Sequence, residues 1–444
     1  MIRTIFADGK SEAEAIKGLS GRDIAAGSEV EQTVRQIIED VRREGDSAVI
    51  RYSLRFDGPG AAPGGRIGML QRKDLKKAFE SLQTPLADAL LHAAENIRAY
   101  HKKQADMLKG YEEKQSCGGD CVIIGQIVRG LKRVGVYVPG GTAAYPSTVL
   151  MNVIPAKLAG VEEIVMATPP RAFAEAEGSF ATDAAILGAA YIAGADRVVL
   201  AGGGQAVAAL AYGTETIPRV DKIVGPGNIY VATAKRLLYG IVDIDMIAGP
   251  SEILIIADEW ANAAFAAADM LSQAEHDPNS AAVLLTTSPE KAAETALQLE
   301  TQITKLGRQG IIREALKKNS LIIVCRSEDE MVRYANEIAP EHLEILTADP
   351  LALLTRIKNA GSVFLGPWTP EPVGDYYAGT NHVLPTNGTA RFASPLGVYD
   401  FVKRMSYTRY TREALEKAKN DILVLGDTEG LTAHSEAVKI RFDE

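Results

Sequence analysis

The feature that most constrains the fold is an alternation of short β-branched runs with helix-like segments, which begins near residue 133. The first series contains RVGVYVPGG, EEIVMATPP, DRVVLAGGG and VDKIVGPGN, each followed by a helix-like stretch. A second series contains SEILIIAD, AAVLLTT, LIIVC, LEILT and GSVFLG. This order of strands and helices predicts parallel sheets with helices packed on them. We therefore expect an α/β protein built from two Rossmann-like parallel units.

The length of the chain indicates more than one hydrophobic core. A chain of 444 residues with 46% hydrophobic residues is expected to form two substantial domains with appendages. Residues 1–33 are polar and weakly periodic, and we interpret them as an N-terminal extension. We assign 34–136 plus 252–394 to a larger α/β domain and 137–251 to a smaller one. The Pro/Gly-rich stretch GPWTPEPVGDYYAGTNHVLPT marks a boundary, and 395–444 are predicted to form a small, mostly helical tail.

Charge and composition argue against several classes of partner. The 48 basic and 57 acidic residues give a net charge of -9, and no Lys/Arg-rich face is present, so neither nucleic acid nor an anionic membrane is expected to bind. The N-terminal sequence lacks an apolar signal-peptide core, and no stretch approaches the ~18 apolar residues that span a bilayer. Three cysteines are too few for a disulfide framework, which favours a reducing compartment. These observations predict a soluble cytoplasmic protein.

Three glycine-rich turns follow strands of the first series, in VPGGTAAYPS, AGGGQAVAAL and GPGNIYVATAKR. Open α/β sheets bind ligands at the carboxyl ends of their strands, where helix N-termini present free N–H groups. The middle turn fails the usual dinucleotide pattern, because Val207 occupies the third glycine position and no acidic residue follows in a ribose-binding context. Each turn taken alone is equally well explained as a tight turn. Three in succession favour a nucleotide bound in an atypical way.

The six histidines fall into two groups. His92 and His101 lie in helical sequence and are interpreted as surface or packing residues. Four others stand at element ends or in loops, where functional residues concentrate, and have acidic neighbours in sequence. These histidines are His276, His342, His382 and His434, and the acidic residues are Glu341, Asp375 and Glu429. Each histidine alone is best explained structurally, whereas the set, placed at the ligand-binding edge of a parallel sheet, favours a metal or acid–base site.

The segment LSQAEHDPNS suggests which metal such a site would hold. Gln273 and His276 are three residues apart at the end of an apolar helix, which we expect Asp258 to cap, and they share one helical face. Imidazoles together with a carboxylate and an amide oxygen suit zinc. No cysteine site competes, because CGGDC has no second half and Cys325 is expected to be buried. A covalent mechanism through a cysteine is not expected.

Several of these segments resemble one known family. VDIDMIAGPSEILIIAD, LSQAEHDPNSAAVLLTT, APEHLEIL, GDYYAGTNHVLPT and EGLTAH, together with GVYVPGGTAAYPSTVLMNVIPAKLAG and GPGNIYVATAKR, are similar to the histidinol dehydrogenases. The resemblance runs in the same order from about residue 30 onward. It implies two incomplete Rossmann-like units in an aldehyde-dehydrogenase-like arrangement, with small terminal appendages.

The resemblance also implies an activity and a set of site residues. It implies a zinc-containing homodimer that uses two NAD and one water to oxidise L-histidinol through L-histidinaldehyde to L-histidine. The implied acid–base pair is Glu341 and His342. The implied zinc ligands are Gln273, His276, Asp375 and His434, which would also surround the substrate with His342, Ser251, His382 and Glu429. The implied NAD contacts are Tyr137, Gln205 and Asn228, and the tail is implied to bring His434 into the partner's site.

Three alternatives remain open from the sequence. A paralogue with the same zinc and NAD machinery would act on another small alcohol, such as a sulfonated diol. A zinc hydrolase would use Glu341 to activate water and would leave the glycine-rich turns purely structural. A binding protein without activity is the least favoured, because it would have no use for both an acid–base pair and a ligand set. Reduction of NAD by an alcohol distinguishes the dehydrogenases from the other two.

Overall fold

Two six-stranded sheets and one three-stranded sheet organise the described part of the chain. The computed structural model describes residues 2–20, 27–116, 120–140, 145–170, 183–247 and 249–442. The first ten elements are β1 (Arg3–Phe6), α1 (Ser11–Ser20), α2 (Ser28–Glu44), α3 (Asp46–Phe56), β2 (Gly68–Gln71), α4 (Arg72–Glu80), α5 (Thr84–Met107), β3 (Tyr111–Ser116), β4 (Asp120–Gly130) and β5 (Arg133–Tyr137).

After β5, helices and strands alternate along most of the chain. The next group is α6 (Pro146–Leu158), β6 (Glu163–Thr168), α7 (Ala184–Ala193), β7 (Arg197–Leu200), α8 (Gly203–Tyr212), β8 (Lys222–Val224), α9 (Ile229–Leu238), β9 (Asp243–Ile244), β10 (Glu252–Ala257), α10 (Ala263–Ala274) and β11 (Ala281–Thr286). The last group is α11 (Pro289–Ile303), α12 (Gln309–Lys318), β12 (Leu321–Val324), α13 (Glu328–Ile338), β13 (His342–Leu346), α14 (Pro350–Leu354), β14 (Ser362–Leu365), α15 (Glu371–Tyr376), β15 (Val402–Tyr410), α16 (Arg412–Thr428) and α17 (Thr432–Lys439).

The two large sheets are parallel, as the sequence predicted. The first sheet has the order β2-β7-β6-β5-β8-β9, and only its edge strand β2 is antiparallel to its neighbour. The second sheet has the order β1-β12-β11-β10-β13-β14 and is parallel throughout. Strands such as β10 and β11 are buried along their whole length, because helices cover both faces of the sheet. The expected α/β class with two parallel units is confirmed.

The packing of the N-terminal third differs from the expected grouping. Residues 34–136 were assigned to one domain with 252–394, but β2 and β5 belong to the first sheet. The helices α2 to α5 also pack on that sheet, through the core residues Val34, Ile37, Leu75 and Ile97. Within the extension 1–33, β1 pairs with β12 at the edge of the second sheet. The spacing of apolar residues in an amphipathic helix indicates that one face is buried, but it does not indicate which sheet that face covers.

The C-terminal segment contains a strand as well as the predicted helices. The strand β15 runs antiparallel to β4, which also pairs with β3 to form the third sheet. The strand was missed because most of its residues are exposed, so its sequence lacks an alternation of apolar and polar residues. Among the described residues of α16, only Ala414 is buried. In α16 and the residues after it, the apolar side chains that are exposed include Val424, Leu425, Leu431 and Ile440.

The cap of the helix before His276 corrects one expectation. Asn262, and not Asp258, caps α10, because the Asn262 side chain accepts a hydrogen bond from the backbone N–H of Ala264 at 2.8 Å. Asp258 stabilises the preceding turn instead, where its carboxylate accepts the N–H of Trp260 at 2.9 Å. Both residues are good N-caps, and the sequence does not distinguish a helix start from the turn that leads into it.

The cysteines and the helix lengths bear on two expectations from the sequence, a reducing compartment and the absence of a membrane-spanning segment. Cys325 is free and buried, as predicted, and burial raises the pKa of its thiol to about 12. Cys121 is disulfide-bonded, which weakens the cysteine count as an argument for a reducing compartment. In the ranges that the structure describes, no helix combines the length and the apolar character needed to cross a bilayer.

Candidate active site

The predicted acid–base pair lies at the amino end of β13. Glu341 directly precedes this strand, His342 is its first residue, and both side chains are buried. The Glu341 Oε2 atom accepts the backbone N–H of Glu252 at 2.9 Å and lies 3.7 Å from His342 Nδ1. Burial raises the pKa of Glu341 well above its ordinary range. A carboxylate in this position is a stronger base than an exposed one.

The contacts of His342 determine which of its nitrogens is basic. Its Nδ1 lies 3.1 Å from the carbonyl oxygen of Glu252, a contact that forms a hydrogen bond only when Nδ1 carries the proton. Burial lowers the pKa of His342 to about 4, so the ring is neutral at pH 7. The Nε2 atom is buried and has no hydrogen-bond partner among the residues that the structure describes. The lone pair on Nε2 is therefore available to accept a proton from a bound substrate.

The short helix α15 adds two carboxyl groups to the site. Glu371 Oε1 lies 3.8 Å from His342 Nε2, and burial raises the pKa of Glu371 to about 9. Asp375 is one helical turn further along. One ligand atom from each of His342, Glu371 and Asp375 lies within 4.8 Å of the other two. A nitrogen with two carboxylate oxygens at this spacing is a suitable donor set for a divalent cation.

His382 and His276 extend the same cluster. His382 Nδ1 lies 3.6 Å from Asp375 Oδ1 and 3.1 Å from the carbonyl oxygen of Asp375. Burial lowers the pKa of His382, with Asp375 opposing the shift and His276 adding to it. His276 likewise contributes to the lowered pKa of His342. The structure thus brings three of the four predicted histidines into one neighbourhood.

Gln273 lies on α10, three residues before His276, and its side chain is fully buried. Among the described residues, neither its amide oxygen nor its amide nitrogen has a hydrogen-bond partner. A buried amide left unpaired is costly, and such a cost is tolerated where a ligand completes the contacts. The donor set thus fits a zinc ion, although the geometric group of three shares only Asp375 with the predicted ligands.

Two glycine-rich turns of the first sheet converge on Tyr137, the last residue of β5. The Tyr137 hydroxyl accepts the backbone N–H of Gly203 at 3.0 Å, and burial raises the pKa of this tyrosine to about 12. Gly225 has a φ of 107°, and a Cβ at this position would lie 2.1 Å from the Tyr137 carbonyl oxygen. The middle and last turns are therefore placed side by side by contacts that require glycine. Part of the remaining turn, residues 141–144, lies outside the described residues.

The other two predicted NAD contacts lie on these turns. Gln205 is buried at the start of α8, and neither polar atom of its side chain has a partner in the described part of the chain. Asn228 caps α9, because its side-chain oxygen accepts the backbone N–H of Tyr230 at 3.0 Å. The amide nitrogen of Asn228 remains available for a ligand. All three predicted residues thus occupy the carboxyl-end edge of the first sheet, where open α/β sheets bind cofactors.

The residues predicted to bind NAD lie at the carboxyl ends of the strands of the first sheet, whereas the buried cluster lies at the amino ends of the strands of the second sheet. In the second sheet the buried cluster is at the amino ends of the strands, since His342 begins β13 and Ser251 directly precedes β10. This corrects the expectation that the histidines gather where ligands usually bind, at the carboxyl ends. The two edges approach each other at Tyr376, whose pKa is raised by burial, by Asp375 and also by Tyr145 of the first glycine-rich turn.

Two predicted residues do not join the cluster within this chain. Glu429 and His434 are exposed at the end of α16 and on α17. In the described residues, neither makes a hydrogen bond or an ion pair with the cluster. Glu371 was missed by the sequence reasoning, although it precedes Asp375 by four residues, the spacing of one helical face. Glu252 contacts Glu341 and His342 through its backbone N–H and carbonyl groups. Backbone contacts of this kind cannot be predicted from the type of residue.

Comparison with known proteins identifies the family of the chain. A family model described as histidinol dehydrogenase matches residues 21–442. The chain belongs to the histidinol dehydrogenase family. The histidinol dehydrogenase of Bacillus thuringiensis is 51% identical over 418 residues, which are 94% of this chain and 93% of that protein. That of Streptococcus mutans is also 51% identical, with the same coverage of 94% and 93%.

A solved structure of the histidinol dehydrogenase family shares the fold. The crystal structure of histidinol dehydrogenase from Elizabethkingia anophelis superposes with a TM-score of 0.89 at 37% sequence identity. The alignment covers 99% of this chain and 98% of that one. The similarity extends over both large sheets and the C-terminal segment. The family predicted from sequence motifs is thereby confirmed, whereas the roles of individual residues remain predictions.

Proposed function

We propose that the chain oxidises L-histidinol through L-histidinaldehyde to L-histidine, with two NAD and one water. The histidinol dehydrogenase family catalyses the NAD-dependent oxidation of histidinol to histidine in histidine biosynthesis. The observation that carries the proposal for this chain is the neutral, buried His342, whose unpaired Nε2 lies next to a second base, Glu341. We place the reaction in the cytoplasm, where NAD is the usual oxidant of small metabolites.

The first oxidation needs a base for the alcohol proton. We assign this role to His342, because its Nε2 lone pair is free and its ring is held by the Glu252 carbonyl. Bound NAD would accept the hydride from the carbinol carbon, while His342 accepts the alcohol proton at Nε2. Tyr137, Gln205 and Asn228 are assigned to NAD, and their positions on the glycine-rich turns support the assignment.

The second oxidation needs a hydrated aldehyde. A water adds to the aldehyde carbon, and the resulting diol would lose a second hydride to a second NAD and one proton to a base. The product of this step is the carboxylic acid, which then releases a further proton to give the carboxylate. We assign activation of this water to Glu341, because burial makes its carboxylate a strong base. His342 again accepts the proton that leaves with the hydride. No thiol takes part, in agreement with the burial of Cys325.

The proposed zinc ligands come from separate parts of the chain. Gln273, His276 and Asp375 belong to the cluster, and His434 is proposed to come from the partner of a homodimer. Zinc bound there would hold the amino and imidazole nitrogens of the substrate and so fix its carbinol carbon in place. Ser251, His382 and Glu429 are assigned to substrate contacts. The unpaired amide of Gln273 supports a ligand at this position.

The reaction is tested by supplying histidinol and NAD and recording absorbance of NADH. We expect two NADH for each histidinol consumed, and histidine as the product. One NADH per histidinol would contradict the four-electron reaction. Absence of NADH with histidinol but its formation with a sulfonated diol would assign the chain to a paralogue. No NADH with any alcohol would favour the hydrolase.

We further expect one divalent metal per chain. Elemental analysis of the purified protein should give about one zinc equivalent, and Gln273→Ala should lower this content because one donor is lost. Gln302→Ala is a matched control, since Gln302 is also an amide in the second-sheet unit but bonds the Ala264 carbonyl at 2.9 Å. Full turnover by enzyme stripped with a chelator would contradict the metal site.

A further inference from the structure

Glu344 is a buried acid that the proposed reaction does not use. It lies on β13 two residues after His342, and alternate residues of a strand face the same side. Its side chain is fully buried. The Oε1 atom accepts the backbone N–H of Glu371 at 2.8 Å, which is the first N–H of α15. Glu344 therefore connects the strand that carries His342 to the helix that carries Asp375.

The Glu344 side chain also has the carboxyl group of Asp269 as a neighbour. Oε2 is buried and receives no hydrogen bond from an N–H or hydroxyl group. Two carboxyl groups hydrogen-bond only when one of them is protonated. Burial and the adjacent Asp269 raise the pKa of Glu344 well above its ordinary range, and burial raises the pKa of Asp269 to about 6. One proton shared by the two carboxyl groups would complete a hydrogen bond between them and so link β13 to α10.

Asp269 carries the connection to a third element. It lies on α10, one helical turn before Gln273, so that the two side chains share a face of the helix. The acid pair of Glu344 and Asp269 therefore lies where β13, α10 and α15 meet. Each of these elements brings one assigned residue to the cluster: His342, Gln273 and Asp375. Neither member of the pair is assigned to substrate, NAD or metal.

Stability alone does not account for the acid pair. Removing two carboxyl groups from water is costly, and well-packed apolar residues of similar volume usually stabilise a core equally well or better. A hydrogen-bonded pair has a different advantage, since its directional bonds fix the orientation of the elements that it joins. Groups that orient the ligands of a metal commonly change affinity or activity by about 10- to 100-fold when they are replaced.

We propose that Glu344 and Asp269 are positioning residues, which hold α10 and α15 against β13 so that Gln273 and Asp375 keep a fixed relation to His342. The proposal rests on the proposed function, because the fixed relation is the one that the metal and the substrate require. The pair acts through other residues and does not contact the reacting atoms.

The test compares Glu344→Leu with Glu344→Gln. The leucine side chain would fill the volume but lose both hydrogen bonds, and we expect the transfer of bound zinc to a colorimetric chelator to be about 10- to 100-fold faster, with a similar fall in kcat. The glutamine side chain donates to Asp269 and accepts from the Glu371 N–H, so Glu344→Gln should stay close to wild type in both measurements. Asp269→Ala should resemble Glu344→Leu.

Glu12 supplies a matched control in the same unit. It is a buried carboxyl on α1, bonded to the hydroxyl of Tyr334 at 2.8 Å, and α1 packs near β1, four strands away from β13. Glu12→Ala should lower the melting temperature and leave zinc transfer and kcat unchanged. Zinc transfer is measured without substrate, so it decides the proposal even if histidinol is not turned over.

Three outcomes would overturn the proposal. The first is wild-type zinc transfer and kcat in a folded Glu344→Leu protein. The second is a Glu344→Gln protein whose zinc transfer and kcat are as impaired as those of Glu344→Leu. This result would mean that the hydrogen bonds of Glu344 do not hold the site in place. If Glu344→Leu does not fold, Asp269→Ala takes its place. Failure of both to fold would assign the pair to the stability of the fold and would likewise refute a positioning role.

Discussion

Glu341→Gln should slow the oxidation of histidinaldehyde by about 10²- to 10⁴-fold, which is the usual contribution of a general base, and leave part of the alcohol oxidation intact. The amide keeps the size of the side chain, and its oxygen can still accept the Glu252 N–H. Only the basicity needed to activate water is lost. The two half-reactions are separated by supplying histidinol or histidinaldehyde and following NADH in single turnovers.

His342→Asn provides the comparison for this experiment. His342 is assigned as the proton acceptor in both oxidations, so its replacement should impair both substrates. Equal losses on the two substrates for Glu341→Gln would contradict the division of labour. A selective loss on histidinol would reverse the assignment, because Glu341 would then serve the alcohol step.

Two inactive variants, His276→Asn and His434→Asn, should together regain about a quarter of the wild-type activity after being unfolded and refolded as an equal mixture. In a mixed dimer with shared sites, one site receives both changes and the other receives neither. Mixed dimers make up about half of a random mixture, and half of their sites are intact. Activity and the fraction of mixed dimer are measured on the same sample.

The structure supports this arrangement through the position of His434. The residue is exposed on α17, and the exposed side chains Leu425, Leu431 and Ile440 surround it in sequence. Apolar groups in such a segment favour burial against another surface. His92→Asn is a matched control, since His92 is also exposed on a helix and its variant should stay active alone. Confirmed mixed dimers without regained activity would rule out a shared site.

The sequence predicted the class of fold because strand and helix periodicities are local. It also predicted Gln273, His342 and His382 as site residues, partly from spacing and partly from the family resemblance, and these assignments stay predictions. The grouping of α2 to α5 with the first sheet was not predictable in this way, because it depends on which apolar surfaces meet. The strand β15 was missed for a related reason, since its exposed residues carry no alternation.

The edge on which the buried cluster forms could not be predicted from the sequence either. The residues proposed for NAD lie at the carboxyl ends of the strands of the first sheet, where ligands usually bind, whereas the cluster lies at the amino ends of the strands of the second sheet. Glu341 and His342 precede or begin a strand, and this placement becomes visible only when the bounds of β13 are known. Glu344 gives a further example. The sequence shows an acid inside an apolar strand, but a role for it can be inferred only from its contacts with Asp269 and Glu371 in the structure.

The separation of the two edges has a consequence for the order of events in a turnover. The groups assigned to the substrate stand on the second sheet and in the segments after it, whereas those assigned to NAD stand on the turns of the first sheet. If these assignments hold, a reduced cofactor could leave and a fresh one enter while the aldehyde stays bound on the second sheet. One bound intermediate would then meet two successive cofactors, and a reactive aldehyde would not need to be released between the two oxidations.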